Sequence, residues 1–174
     1  TEYTYDITAS GDYVTFPLSE GIGSYTVKVF ENVSGTSYAQ AVSQPIQVNI
    51  ASDTTPFLYP NQFCNFNADS NVVTVSDTIT SGMTDPLKKV EAIYNYAVDN
   101  ITYDNQKAAT VQSGYLPNVD ATLAQKKGIC FDYAAVMTSM LRAQGIPTKL
   151  VIGYAGNVYP CLLDTAPSPR DPKT

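Results

Sequence analysis

The sequence predicts an α+β fold, a small antiparallel β module followed by a larger domain built around two amphipathic helices. Three observations carry that reading. Apolar residues alternate with period two as far as residue 50; they switch to helical spacing over 86–100 and again over 130–144; and glycine and proline punctuate the boundaries between these stretches. A chain of 174 residues has room for one core of ordinary size and a smaller appendage. The pattern divides it into a β module at 1–52, a main domain at 53–159 and an irregular tail at 160–174.

In the β module, Val14, Phe16 and Leu18 share one face, as do Tyr25, Val27 and Val29, and then Ile46, Val48 and Ile50. Turn chemistry lies between them at Ser10-Gly11-Asp12, Gly21-Ile22-Gly23 and Ser34-Gly35-Thr36. Four or so strands in this length are thin for a full sandwich, which predicts a minimal immunoglobulin-like module. Residues 51–60 read as a linker and Val72 to Val75 as a strand. Thr84-Asp85-Pro86 supplies a capping residue and a proline at the first helical position, and Leu87, Val90, Tyr94, Ala97 and Ile101 then line one face of a helix over 86–100. Residues 104–123 show no sustained period and read as a long ordered loop, either shaping a cleft or forming a surface excursion. A second helix starts at Ile129 or Cys130 and stops at Gly145, before Ile146-Pro147. Residues 149–154 follow as a buried strand. From Pro160 onward the periodicity ends, and four of the chain's 11 prolines fall there.

Composition excludes several classes. With a net charge of −6 and no Lys/Arg cluster, the chain has nothing to release counterions from a phosphate backbone, so nucleic acid is not a partner. No apolar run is long enough to span a bilayer. A charged fraction of only 15%, with abundant Ser, Thr, Asn and Tyr, fits an extracellular or cell-surface bacterial protein. Residues 1–6 contain no signal or transit sequence, which a mature or processed chain would have lost. The three cysteines, Cys64, Cys130 and Cys161, are odd in number and lack short repeat spacing, so neither a disulfide framework nor a metal site is predicted. The 13 tyrosines could line a sugar-binding face, but tyrosine is also a good strand former.

Chemistry concentrates at Gly128-Ile129-Cys130-Phe131-Asp132-Tyr133. Here a thiol occupies the first turn of a helix, directly after a segment whose glycine allows close backbone approach. Free amides and the positive end of the helix dipole favour a thiolate there and can bind a developing oxyanion. Cys130, Ala134, Met137 and Leu141 also keep helical spacing, so the helix alone leaves open a Cys130 that is merely a small core residue. Asp132, in the first turn, reads as local structure. Tyr103 and Tyr115 precede the cysteine and are candidates for an oxyanion or cleft hydroxyl, or for ordinary packing.

A longer pattern moves the balance toward a nucleophile. Lys126-Lys127-Gly128-Ile129-Cys130-Phe131-Asp132-Tyr133-Ala134, Met140-Leu141-Arg142, Gln144-Gly145-Ile146-Pro147 and Leu150-Val151-Ile152-Gly153-Tyr154 together resemble the transglutaminase-like family. Ile93-Tyr94-Asn95-Tyr96 and Ile101-Thr102-Tyr103-Asp104 resemble its preceding helix, and the resemblance covers about 57–159. It implies a papain-like α+β fold, no cofactor, and a Cys, His, Asp triad acting through a thioester on peptide or protein amides, with Cys130 as nucleophile. That family places its histidine on the strand after Gly-Tyr, commonly as His-Ala-Trp. Here Tyr159 is followed by Pro160-Cys161-Leu162, and the chain has neither His nor Trp. A symmetric homo-oligomer therefore cannot lend the imidazole either. A fragment, a slipped reading frame and a pseudoenzyme all account for this; the abrupt loss at Tyr159 favours an incomplete C-terminus, with the core lacking its last strands. The chain as written is expected to be inactive, and the sheet edge so exposed predicts a homodimer. The rival expectation is a noncatalytic cell-surface scaffold or binding protein.

Overall fold

A computed structural model describes residues 2–5, 7, 15–112 and 114–152, and the backbone of 161–165. The chain groups into two units, one comprising 1–3 with 18–53 and the other 4–17 with 54–174.

The smaller unit is a hairpin. Strand β1 (Gly23–Ser34) pairs antiparallel with β2 (Ser37–Val48), from Gly23 opposite Val48 to Ser34 opposite Ser37. The tight connection works because Gly35 takes φ +54°, where a side chain would be strained, and Asn32 donates to its carbonyl at 2.8 Å. At the start of β1 the Tyr25 hydroxyl donates to Gly21 O at 2.8 Å, closing the predicted glycine turn. The four-strand expectation is not met among the described residues: 15–18 are irregular, Val14 lies outside them, and the unit holds two strands.

The larger unit begins with a short 3-10 turn at Thr55–Leu58 and continues through α1 (Asn71–Ile79), α2 (Pro86–Asn100), β3 (Thr102–Tyr103), α3 (Asn105–Thr110), α4 (Val119–Gln125), β4 (Lys127–Gly128), α5 (Cys130–Ala143), β5 (Thr148–Ile152) and β6 (Cys161–Thr165). Helix α5 is central and packs against α1, α2, α4 and the antiparallel β5–β6 pair. Val72, Ile93, Ala97, Ile101, Val119, Leu123, Ala135, Val136, Met140 and Leu141 form one buried cluster around it. This is the expected α+β class, with α2, α5 and β5 where the pattern puts them.

Four local expectations are corrected. Residues 72–75 are helical: Val72 and Ser76 are fully buried one turn apart, so packing overrides the strand preference of a Val-rich run. The stretch 104–123 contains α3 and α4, capped by Asp104 accepting from Lys107 N and Asn118 accepting from Ala121 N, both at 2.9 Å. Helices of six and seven residues are too short to show a period. In α2 the buried residues are Ile93 and Ala97, whereas Leu87 and Tyr94, placed on the inner face by spacing, are 78% and 54% exposed. Finally, 161–165 is a strand paired with β5, not irregular tail.

The C-terminal end of α5 is pinned by polar side chains. Arg142, buried, donates from Nε and Nη2 to Thr148 O at 2.9 and 2.7 Å and from Nη1 to Tyr59 O at 2.6 Å. Gln144 accepts from Thr80 and Lys89 and donates to Ser76 and Asp77, joining the helix end to α1 and α2.

Candidate active site

The approach to Cys130 is built from backbone. Lys126 ends α4 with φ 51°, a left-handed turn that sends the chain into β4. There Thr102 pairs with Lys127 and Tyr103 with Gly128 in parallel, with Thr102 N donating to Lys126 O and Asp104 N to Gly128 O, each at 2.9 Å. Asp104 and Lys127 form an ion pair at 3.2 Å across the same pairing. The hydrogen bond from Lys107 N to Asp104, chief among its contacts, holds that carboxyl below the usual carboxylate range.

Gly128 is glycine for a steric reason. A Cβ built there would lie 2.6 Å from Asp132 Cβ, closer than real side chains approach. With Gly128 so close, the chain turns through Ile129 at the N-cap and places Cys130 at the first position of the 14-residue helix α5. The thiol is free, and Cys130 as a residue is half-buried. Amides of the first helical turn point out of the helix end beside it.

Asp132 is fully buried and organises that turn. Its Oδ2 accepts from Ile129 N at 2.8 Å and from Lys107 Nζ at 2.7 Å, and its Oδ1 accepts from Tyr115 OH at 2.5 Å. Ile129 has no side-chain oxygen to complete a reciprocal capping box, so Asp132 caps alone. Lys107 Nζ also donates to Tyr115 OH at 2.6 Å and sits 4.4 Å from the centre of that ring. Desolvation pulls the Lys107 ammonium down, but its hydrogen bond to Asp132, aided by Tyr115, outweighs this and leaves it raised. The Tyr115 hydroxyl is raised first by burial and then by its bond to Asp132. Phe131 lies between Tyr115 at 6.3 Å and Phe63 at 5.9 Å, centroid to centroid, which walls one side of the helix start with aromatic rings.

Of the candidates read from sequence, the structure brings Tyr115 into this cluster, where its proton is directed at Asp132. Tyr103 stands on β3, about half exposed. Asp132, read as local structure, is the cluster's centre. Lys107 was missed; the signal available was its place three residues after the capping Asp104, but nothing local points to a partner 25 residues on. Cys64 is a different kind of cysteine. It is fully buried, its thiol contacts Asn61, and burial pushes it up to about 11 against an opposing pull from Arg142. The side chain of Cys161 lies outside the described residues. Among the described residues no cluster of His, Cys, Asp and Glu could hold a metal, and no helix is long and apolar enough to cross a membrane.

The family model of the transglutaminase-like superfamily matches residues 73–163, just over half of the chain, and contains Cys130, Asp132, Lys107 and Tyr115. The match extends past Tyr159 into β6. No curated protein matches. Among solved structures, a proposed cysteine protease from Cytophaga hutchinsonii is similar over 67% of this chain and 39% of its own, with a TM-score of 0.54 and 21% identity, which establishes a shared fold. A proposed protease from Parabacteroides distasonis is 19% identical over 79% of this chain and 32% of its own, with a TM-score of 0.42. The chain therefore spans about two-fifths or less of the length of these structures.

Proposed function

Because the chain belongs to the transglutaminase-like superfamily, we propose that it carries the nucleophile half of a cysteine acyl-transfer centre acting on peptide or protein amides, with Cys130 as the attacking group. The observation that carries this is the position of Cys130 at the first residue of α5, partly accessible and set there by a glycine in contact with Asp132. In the reaction, Cys130 Sγ would bond to the amide carbon while the helix-terminal amides stabilise the oxyanion. The C–N bond then breaks, the amine departs with a proton, and a thioester remains for attack by water or a second amine.

The proton on the leaving amine must come from a general acid. The 174 residues contain no histidine, so the chain by itself does not turn over amides, and the imidazole of a working centre would belong to residues other than these. The lack of histidine also supports a second reading, a noncatalytic scaffold with this fold. An extracellular or cell-surface setting, supported by the low charged fraction, and self-association through an open sheet edge complete the proposal.

Iodoacetamide labelling of the folded chain, read by peptide mass spectrometry, tests the assignment. Carbamidomethylation is expected at Cys130 well before Cys64, and the early adduct should vanish in Cys130→Ala. Equal rates at the two thiols would remove the nucleophile and leave the scaffold.

A further inference from the structure

We infer that Lys107 is a charge-compensating positioning residue for Cys130, acting through Asp132. The inference rests on Cys130 being the nucleophile. Asp132 sits in the same first turn of α5 as Cys130 and is fully buried, so its negative charge is poorly screened by water. A thiolate forming in that turn meets a second anion, which on its own would oppose it. The carboxylate is nonetheless needed, because its Oδ2 holds Ile129 N at the N-cap and its Cβ packs on Gly128.

The Lys107 ammonium resolves the conflict. At 2.7 Å from Asp132 Oδ2 it cancels the charge, and its side chain is 30% exposed, so one face reaches solvent while the other meets the carboxylate. Tyr115, bonded to both, fixes the geometry of the pair. Several charged groups on the other elements around α5 are engaged elsewhere. Asp104 and Lys127 pair with each other, Asp120 accepts from Val72 N, Asp77 and Lys89 bind Gln144, Lys149 lies over the Phe57 ring, and Arg142 binds carbonyls at the far end of the helix. Lys107 is thus the cation that faces Asp132 among the described residues. A merely structural staple would tie α3 and the Tyr115 loop to α5 without regard to the sign of any charge, and the two roles separate on that point.

The test is the rate of Cys130 alkylation by iodoacetamide in this chain, measured across pH, with folding of each variant checked by circular dichroism. Lys107→Met is expected to slow labelling at neutral pH about tenfold and to move the profile to higher pH with its plateau unchanged. Asp132→Asn should do the opposite, and the double variant should return toward the starting rate. Lys107→Arg, which keeps the charge, should restore most of what Met loses. Slowing in both single variants, or equal behaviour of Met and Arg at 107, would overturn the inference in favour of a staple. Should Asp132→Asn fail to fold, the contrast between Met and Arg decides alone. A parent chain in which Cys130 labels no faster than Cys64 defeats the nucleophile reading and this inference with it, a result visible before any variant is made.

Discussion

Two thiols of one chain, Cys64 and Cys130, differ because one is enclosed and the other stands at a helix mouth. Enclosure has a measurable pH signature for Cys64. Its ordinary value is 9.0 and its folded value about 11, so the unfolded chain loses the proton first as pH rises. The stability contributed by the neutral buried thiol is therefore complete below pH 9 and is lost progressively as pH approaches 11. The full loss amounts to roughly 2–3 kcal/mol. Urea midpoints measured between these limits should fall more steeply for the parent than for Cys64→Ala; parallel curves would show that burial of this thiol is not what sets the slope. At this scale the sequence was legible where spacing is local. Gly128, Cys130 and Asp132 stand in one short motif, and the helix start was read from it. What Asp132 does was not legible, because two of its three partners, Lys107 and Tyr115, arrive from 25 and 17 residues upstream.

At the scale of elements, α2 and α5 were readable from their length and their terminal chemistry. Asp85 accepts from Leu87 N at 2.9 Å as the cap implied, and Gly145, with φ 73°, stops α5 as its position implied. The inward face of α2 was read correctly at Val90, Ala97 and Ile101 and misread at Leu87 and Tyr94, which are large and mostly apolar yet more than half exposed; spacing and hydrophobicity rank residues without seeing their neighbours. Short α3 and α4 were invisible for want of turns, and α1 because its valines favour strands until a core claims them. Arg142 is the element-level device the motif contained without explanation. The guanidinium joins α5 to the Thr148 and Tyr59 carbonyls, and desolvation lowers its proton affinity while the nearby Cys64 opposes that. Arg142→Met, similar in volume, orphans both carbonyls and should cost about 3 kcal/mol in denaturant unfolding. A loss under about 1 kcal/mol would mean that water replaces the guanidinium at little cost.

For the whole molecule, the contrast lies between the helical core around α5 and the hairpin of β1 and β2. Val27, Phe30, Val33, Tyr38 and Val42 on the hairpin are each at least 46% exposed, whereas Ile93, Met140 and Leu141 are fully buried. A two-stranded ribbon is marginal on its own, so local opening should cost far less there. Hydrogen exchange is expected to show hairpin amides exchanging at least about a hundredfold faster than those of Ile93, Met140 and Leu141. Comparable protection in both would demand that the hairpin be stabilised by a contact of its own. The α+β class was legible because it follows from a change of period. The number of strands in the first unit was not, since alternating apolar residues mark an extended chain without saying whether it finds a partner.

The contact between Gly128 and Asp132 bears on how this chain can vary by inheritance. Every missense change at codon 128 supplies a β-carbon, since glycine alone has none, and each such carbon falls 2.6 Å from Asp132 Cβ. Alleles altered at this codon, other than silent ones, should thus arrive already impaired at the helix mouth, and a restoring second mutation would have to shift the backbone or put glycine in place of Asp132, because every other residue there keeps the obstructing β-carbon.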